Sequence, residues 1–381
     1  MQLVGAANSP VFNYAITAAL ANGRVQLING GTDQSGSGPL EKQTAADFVL
    51  AKLAGNFAFG ALGAQPGGPR TGTVGAIAVD ASGHVTSGHA DSNGTGPLTD
   101  AVLTGTLTAP DPATGRGVLT LNASGTGGSR VMHFAYYIVN ADRLFIASTD
   151  ASLPISGFMT RQAGSFSNTS LANPGILSLF GAVDQAYQPR TALSLGRLSG
   201  ADPGSGTVNL LLDSALQAVI VFGASYNGGV YAVRADGRTT MTFTAGAITR
   251  NFVLYLDGPS SGYVVEPDSS VGMAGLLEAQ SAGPFDVAMP GLFVSSTQFP
   301  EDSSPITLFP AVHFSTGQFL GNYVTGFYSL DANTGRGVGT INTSGSLTSA
   351  LTFYILRPDK VITLQMPTPY QNAVTSWMAS D

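Results

Sequence analysis

One short motif returns three times along the chain at almost the same interval. "GPLEKQ" fills residues 38–43, "GFMTRQ" residues 157–162 and "GLLEAQ" residues 275–280, so successive copies start about 119 and 118 residues apart. Each copy is Gly, two apolar or Pro positions, two variable positions, then Gln. Longer stretches keep the interval: Phe12, Phe134 and Phe252 open comparable segments about 122 and 118 residues apart. Self-similarity at a fixed period marks one structural unit copied in tandem, and it excludes folds built on a single continuous core.

The copied segments show what the unit is made of. In "HFAYYIVNADRLFIASTD" (residues 133–150) one apolar alternation meets a short polar turn and a second alternation, and "NFVLYLDGPSSGYVVEPD" and "LTFYILRPDKVITLQM" repeat the plan. Period-two hydrophobicity around Asn, Asp, Gly or Pro is the signature of a β-hairpin. Upstream, "DPATGRGVLTLNASG" (residues 111–125) returns as "DANTGRGVGTINTSG" (residues 331–345), with "RADGRTTMTFTAG" between them. The Asp of such a turn accepts backbone N–H bonds, and its Gly supplies the left-handed residue. Read from Gly55 to Gln162, one unit holds about eight antiparallel strands in a meander, which must close into a small barrel or fold into a sandwich to bury its apolar face.

The expected fold is therefore all-β, in tandem antiparallel β-meander modules. The boundaries fall at 1–45 (an incomplete N-terminal β-repeat), 46–165, 166–282 and 283–381, the last a shortened module with a C-terminal tail. The stretch "TAADFVLAKLAGN" holds one or two helical turns with Thr44 as the cap, and "AGSFSNTSLANPG" reads as a flexible, turn-rich linker.

Composition agrees with strands and tight turns and restricts the partners. Charged residues make up 10% of the chain, Gly numbers 49, and Lys occurs only at Lys42, Lys52 and Lys360. A net charge of −7 with no Lys/Arg cluster argues against nucleic acid, whose phosphates demand concentrated positive charge. The absence of cysteine removes disulfides and thiolate chemistry. No uninterrupted apolar run approaches the length of a membrane span, and "MQLVGAANSP" shows no basic region followed by an apolar one, so neither a span nor a signal peptide is expected.

Chemistry-bearing motifs are sparse. "GPSSG" (residues 258–262) has the spacing of a nucleophile elbow but sits in a hairpin turn with no helix after it, so it reads as a turn. His84 and His89 lie on opposite strand faces, His133 precedes a core strand, and His313 lies in "PAVHFSTG"; none forms a metal pair. The Asp-rich loops "HADSNGTG" and "SGADPGSG" lack the ligand alternation of a calcium loop and read as turns. Arg116 and Arg336, each between glycines, are candidate contacts for an acidic or glycan ligand. The plainer reading pairs each with a turn Asp of its own module. In the adjacent pairs Tyr136/Tyr137 and Phe353/Tyr354, one ring faces in and the other out, and Tyr136 and Tyr354 are taken as candidate contacts. Trp377, the single tryptophan, is expected to dock from the polar tail onto a surface. No catalytic set, cofactor or metal site emerges.

Together "DASGHVTSG", "TGRGVLTL" and "HFAYYIVNADRLFIASTD" resemble tandem β-repeat proteins of environmental bacteria, extracellular or envelope-associated and of unassigned function. The resemblance implies β-modules of about a hundred residues and an extracellular or cell-surface location, and it supplies no catalytic residues. The expectation is a non-catalytic structural or adhesive protein that self-associates through edge strands or termini; the alternative is a protein that binds carbohydrate or another surface ligand.

Overall fold

The computed structural model describes residues 2–3, 12–19, 24–30, 35–64, 70–94, 96–183, 190–216, 219–267, 273–289, 293–298, 312–321, 324–343, 347–366 and 374–380. Among them the structure is β apart from three short 3-10 turns. Among the described residues no helix is long and apolar enough to cross a membrane. The chain divides into two compact units, Gln43–Gln280 and Met1–Lys42 with Ser281–Asp381.

The chain opens with a four-stranded sheet of β1 (Gln2–Leu3), β2 (Phe12–Ala19), β3 (Arg24–Gly30) and β4 (Ser35–Glu41), paired in that order. It belongs to the second unit.

Two closed eight-stranded barrels fill the unit Gln43–Gln280. The first runs β5 (Gly55–Ala64), β6 (Arg70–Val79), β7 (His84–Ser92), β8 (Thr99–Leu107), β9 (Arg116–Thr126), β10 (Gly128–Asn140), β11 (Arg143–Ser148) and β12 (Ile155–Arg161). It closes where β12 pairs with β5, from Ile155 opposite Gly63 to Arg161 opposite Phe57. The second runs β13 (Gly175–Val183), β14 (Arg190–Asp202), β15 (Thr207–Leu216), β16 (Val219–Val233), β17 (Arg238–Ala245), β18 (Ile248–Gly258), β19 (Ser261–Val265) and β20 (Ala274–Ala279). It closes between β13 and β20. The hexamer therefore forms the closing strand of each barrel in this unit, β12 and β20.

Alternation dictates the inside. Along β10 the residues Met132, Phe134, Tyr136 and Ile138 point inward to Phe57, Phe59, Leu119 and Leu121. In the second barrel Leu179, Leu210, Phe243, Phe252 and Leu254 do the same, with Phe243 and Phe252 edge to face at 6.0 Å. Barrels of eight strands have just enough interior for side chains to fill it. These aromatic rings occupy that space.

The segments ahead of the barrels are ordered parts of the core. Phe48 and Leu53, before the first barrel, and Phe166 and Leu171, before the second, belong to the two interior clusters. The 3-10 turns Ala45–Asp47 and Leu50–Leu53 match the expected helical turns, but Thr44 makes no side-chain cap. The stretch expected to be a flexible linker carries a 3-10 turn, Asn168–Leu171, closed by a capping box between Ser167 and Ser170. Burying Phe166 and Leu171 offsets the cost of ordering it.

In the other unit, residues 281–381 form a third closed barrel of β21 (Phe293–Gln298), β22 (Val312–Ser315), β23 (Gln318–Gly321), β24 (Val324–Asp331), β25 (Arg336–Thr343), β26 (Leu347–Arg357), β27 (Lys360–Met366) and β28 (Val374–Ser380). Phe314, Tyr328 and Phe353 stack edge to face at 5.4–5.7 Å inside it. The residues read as a polar tail form β28, hydrogen-bonded to both β21 and β27. The Trp377 side chain lies outside the described residues. Its backbone sits opposite Ser296 and Ile362, so the segment is a strand of the barrel, drawn in by ladder hydrogen bonds on both sides.

Candidate functional site: the joint between the first two barrels

Closed barrels have no free edges, so the first two barrels meet through their outer faces. Ala58, Val74 and Ala76 on β5 and β6 pack against Val253, Tyr255, Tyr263, Val265 and Ala274 of the second barrel. Glycines open the way. A Cβ on Gly60 would run into the Tyr263 ring, and one on Gly72 would run into Ala274. The Tyr263 hydroxyl reaches Thr160 Oγ1 at 2.7 Å.

A charged cluster sits beside this apolar contact. Asp91, on β7, is only 1% exposed. Arg238 grips it with two bonds, Nε to Oδ2 at 2.8 Å and Nη2 to Oδ1 at 2.9 Å. The Tyr255 hydroxyl donates to Oδ2 at 2.7 Å, and the Asp100 backbone N–H to Oδ1 at 3.0 Å. Four donors on one carboxylate meet the condition for a buried charge, which is costly unless paired and hydrogen-bonded. Arg238 and Tyr255 stand opposite each other across β17 and β18, so one register position of the second barrel delivers both.

A second layer surrounds it. Asp100 holds a left-handed backbone, φ 46°, and accepts two bonds from Arg234 Nη1 at 2.7 and 2.9 Å. Arg234 also binds Asp236 through Nε at 3.2 Å and through Nη2. His89 Nδ1 lies 2.8 Å from Asp100 Oδ1, out of line for a hydrogen bond. The hydrogen bond to Asp91 pushes the Arg238 pKa up, and burial, reinforced by the Asp91 charge, pushes that of Tyr255 up. Burial opposes the charge on Asp236, but the Arg234 bonds outweigh it and hold its pKa below the ordinary value. Every acid here is committed to a guanidinium or a backbone N–H. The arrangement fastens the two barrels to each other.

Gln162, which ends the second hexamer, completes the joint. Gln162 Nε2 donates to Leu256 O at 2.7 Å and Asp236 O at 2.9 Å in the second barrel. Gln43 Nε2 makes the matching bonds in the first barrel, to Ile138 O at 2.6 Å and Thr114 O at 3.2 Å. Beside them Thr44 N–H bonds to Val139 O and Ala163 N–H to Asp257 O, and Ser281 N–H to Leu356 O repeats the pattern in the third barrel. In the first two barrels the same glutamine bonds two backbone carbonyls, while the Gln280 side chain accepts from Arg197 Nε at 2.7 Å within its own barrel.

Several residues singled out from sequence stand elsewhere than expected. Tyr136 is fully buried inside the first barrel, its hydroxyl donating to Thr108 O at 2.6 Å and burial pushing its pKa up to about 12. It makes no surface contact; the outward ring of the pair is Tyr137, 41% exposed. Tyr354, by contrast, keeps the outward register position expected of it, outside the interior cluster that holds Phe353, and is fully buried there; Arg336 opposite it is half-buried. Arg116 is exposed and does not pair with its turn Asp. The Asp111 Oδ1 is taken by the backbone N–H groups of Ala113 and Thr114 and by the Thr114 hydroxyl. The neighbouring Gly117 serves the interior, because a Cβ there would collide with the Tyr136 ring; Gly337 does the same for Phe353.

The loop weighed as a calcium turn belongs to the joint. Asn93 accepts the Gly72 N–H at 2.7 Å and donates across the interface to Met273 O at 2.9 Å and Glu266 O at 3.2 Å. In "SGADPGSG", Asp202 binds its own turn through Gly204 N–H and the Ser205 hydroxyl. Ser260 of "GPSSG" is a buried turn residue, φ 50°, donating to Asn173 O at 2.6 Å. His84 and His133 each pair with a nearby aspartate, Asp80 and Asp150, and the His313 side chain lies outside the described residues. Among the described residues no group of three or more His, Asp and Glu side chains is placed to hold a metal ion.

The Arg–Tyr pairing recurs: Arg116 faces Tyr137, Arg238 faces Tyr255 and Arg336 faces Tyr354. Its counterpart recurs too. Asp213 in the second barrel stands opposite Leu195, itself opposite Ser178, just as Asp91 stands opposite Val74 and Val74 opposite Gly60. Both aspartates accept a backbone N–H from the following strand, Gly223 at 2.8 Å and Asp100 at 3.0 Å.

No protein-family model matches the chain, and no curated protein does. Among solved structures, the chain has a distant likeness to the crystal structure of a double mutant of the vaccine antigen Transferrin Binding Protein B from Haemophilus parasuis. The identity is 10%, the alignment covers 97% of this chain and 85% of that one, and the TM-score is 0.22.

Proposed function

We propose that the protein is a non-catalytic structural or adhesive protein of the cell surface or extracellular space, a string of barrels that offers its outer faces to other molecules. The observation that carries this reading is the buried Asp91–Arg238–Tyr255 joint, which commits charged groups to holding two barrels in one orientation. The filled interiors support it, because they direct recognition to the exterior. Self-association through edge strands has no footing in the closed barrels; the free edges among the described strands are β1 and β4. The carbohydrate-binding alternative draws on the exposed Tyr137 beside Arg116.

The test uses the absence of native cysteine. Spin labels at Ser124→Cys in the first barrel and Thr244→Cys in the second, both exposed, are expected to give one narrow distance distribution by pulsed electron resonance. A broad or multimodal distribution means the barrels reorient freely and defeats the reading.

A further inference from the structure

The Arg–Tyr end of the row that the second barrel buries in the joint is open on the first. In the second barrel the outward row runs Arg238, Tyr255, Tyr263, Leu276 across neighbouring strands. In the first it runs Arg116, Tyr137, Phe145, Phe158 in the same register. Tyr255 is fully buried and Tyr137 is 41% exposed. Arg238 binds Asp91, whereas Arg116 is exposed and its side chain makes no hydrogen bond or ion pair among the described residues. Phe145 packs on Phe158 at 4.8 Å, and Phe158, under the Arg143 guanidinium at 4.3 Å, packs on the apolar cluster of the existing joint, so the exposed part of the row is Arg116, Tyr137 and the half-buried Phe145.

We propose that this row is a second docking face, whose occupant is a β-barrel module of the same kind carried by another polypeptide and presenting an outward aspartate where Asp91 stands in the first barrel. The inference deepens the non-catalytic, interfacial reading and rests on it. Two observations select the occupant. One is continuity: the same register row, Arg beside Tyr beside a second ring, already docks once in this molecule, onto an Asp-bearing β-face. The other is charge complementarity, because the exposed guanidinium of Arg116 offers parallel N–H donors that a carboxylate accepts, and the Tyr137 and Phe145 rings beside it match a flat apolar face. The Asp91 face supplies both, with Gly60 and Gly72 making room for the incoming rings. Such a contact joins two different surfaces, so it is heterologous and adds modules end to end.

The probe is this chain with its own socket opened. In Arg238→Glu with Tyr255→Ala, like charge at Asp91 drives the second barrel off the first, and widening of the spin-label distances verifies the opening. Mixed with the wild-type chain, the opened variant is expected to form a complex in sedimentation velocity. Arg116→Glu in the wild-type partner should weaken that complex at least about tenfold. Adding Asp91→Arg to an opened background of Arg238→Ala with Tyr255→Ala, which has no charge at 238 to re-form its own joint, should restore it, a rescue that a general surface effect does not produce. If the double variant misfolds, Arg238→Ala opens the joint without reversing charge. An opened, folded variant that forms no complex at about 100 µM overturns the proposal. So does a complex indifferent to Arg116→Glu. Retention on a glycan array that is lost with Tyr137→Ser assigns the row to carbohydrate and overturns it as well. None of these results alters the wild-type label distances, so the rigid-joint reading stands or falls separately.

Discussion

Arg238 and Arg116 hold the same register position in consecutive barrels, each opposite a tyrosine, and their surroundings differ completely. Arg238 is sunk in the joint, bonded twice to an aspartate that is itself out of water. Arg116 stands in solvent. The strand pattern supplies the pair in both places. The energy of the pair comes from the face that meets it, because a charge pair strengthens as water leaves and fades where water remains.

The sharpest way to break this comparison is Arg238→Ala. It leaves the Asp91 charge buried with only the Tyr255 hydroxyl and the Asp100 N–H, and should cost about 3–5 kcal/mol, read by denaturant unfolding of the full chain together with the label distances. A loss no larger than that of Arg116→Ala would show that the two positions are equivalent after all.

Gly60→Ala comes next. The new methyl meets the Tyr263 ring, and prising the barrels apart by that much should cost about 1–3 kcal/mol. Pairing it with Tyr263→Ala should recover most of the loss. An additive double variant would place the strain elsewhere.

Tyr255→Phe keeps the ring and removes one of four donors to Asp91, with an expected loss of about 1–2 kcal/mol. Tyr137→Phe, at the matching position, should be neutral within the error of the same measurement.

Acid probes the second layer. The folded-state pKa of Asp236 lies below its ordinary value of 3.8, so its stabilising contribution is complete above that value and drains as pH falls through the lower, folded one. Unfolding midpoints should decline below about pH 4, and Asp236→Asn should flatten part of that decline. An unchanged profile would remove Asp236 from the joint's energetics. The smallest effect belongs to Arg116→Ala, expected within about 0.5 kcal/mol; a larger loss would mean that Arg116 has a partner within its own chain.

Much of this architecture could be read in the chain before folding. Phe134 and Tyr136 alternate with outward residues, so β10 was legible, and "DPATGRG" carries its turn in Asp111 and in Gly115, φ 66°. The recurring hexamer marked the closing strands β12 and β20. The purpose of its glutamine was hidden, since Gln43 and Gln162 bond to backbone carbonyls 95 and 94 residues away, and a carbonyl has no sequence identity. Asp91 looked like a turn former for a similar reason, its partners Arg238 and Tyr255 lying 147 and 164 residues downstream. One signal pointed to them: each TGRG-type turn is followed, at matching register, by an outward tyrosine. Choosing Tyr136 over Tyr137 missed it by a single residue, and in a strand one residue is the difference between core and surface.

By itself the sequence determined that this is a tandem series of β-meanders, because side-chain alternation and turn chemistry act over a few residues and repeat with the period. Closure into barrels, and the choice of which Arg–Tyr row becomes a buried fastener, were decided by tertiary structure. Both depend on which distant surface excludes water from a residue, and no local pattern records that.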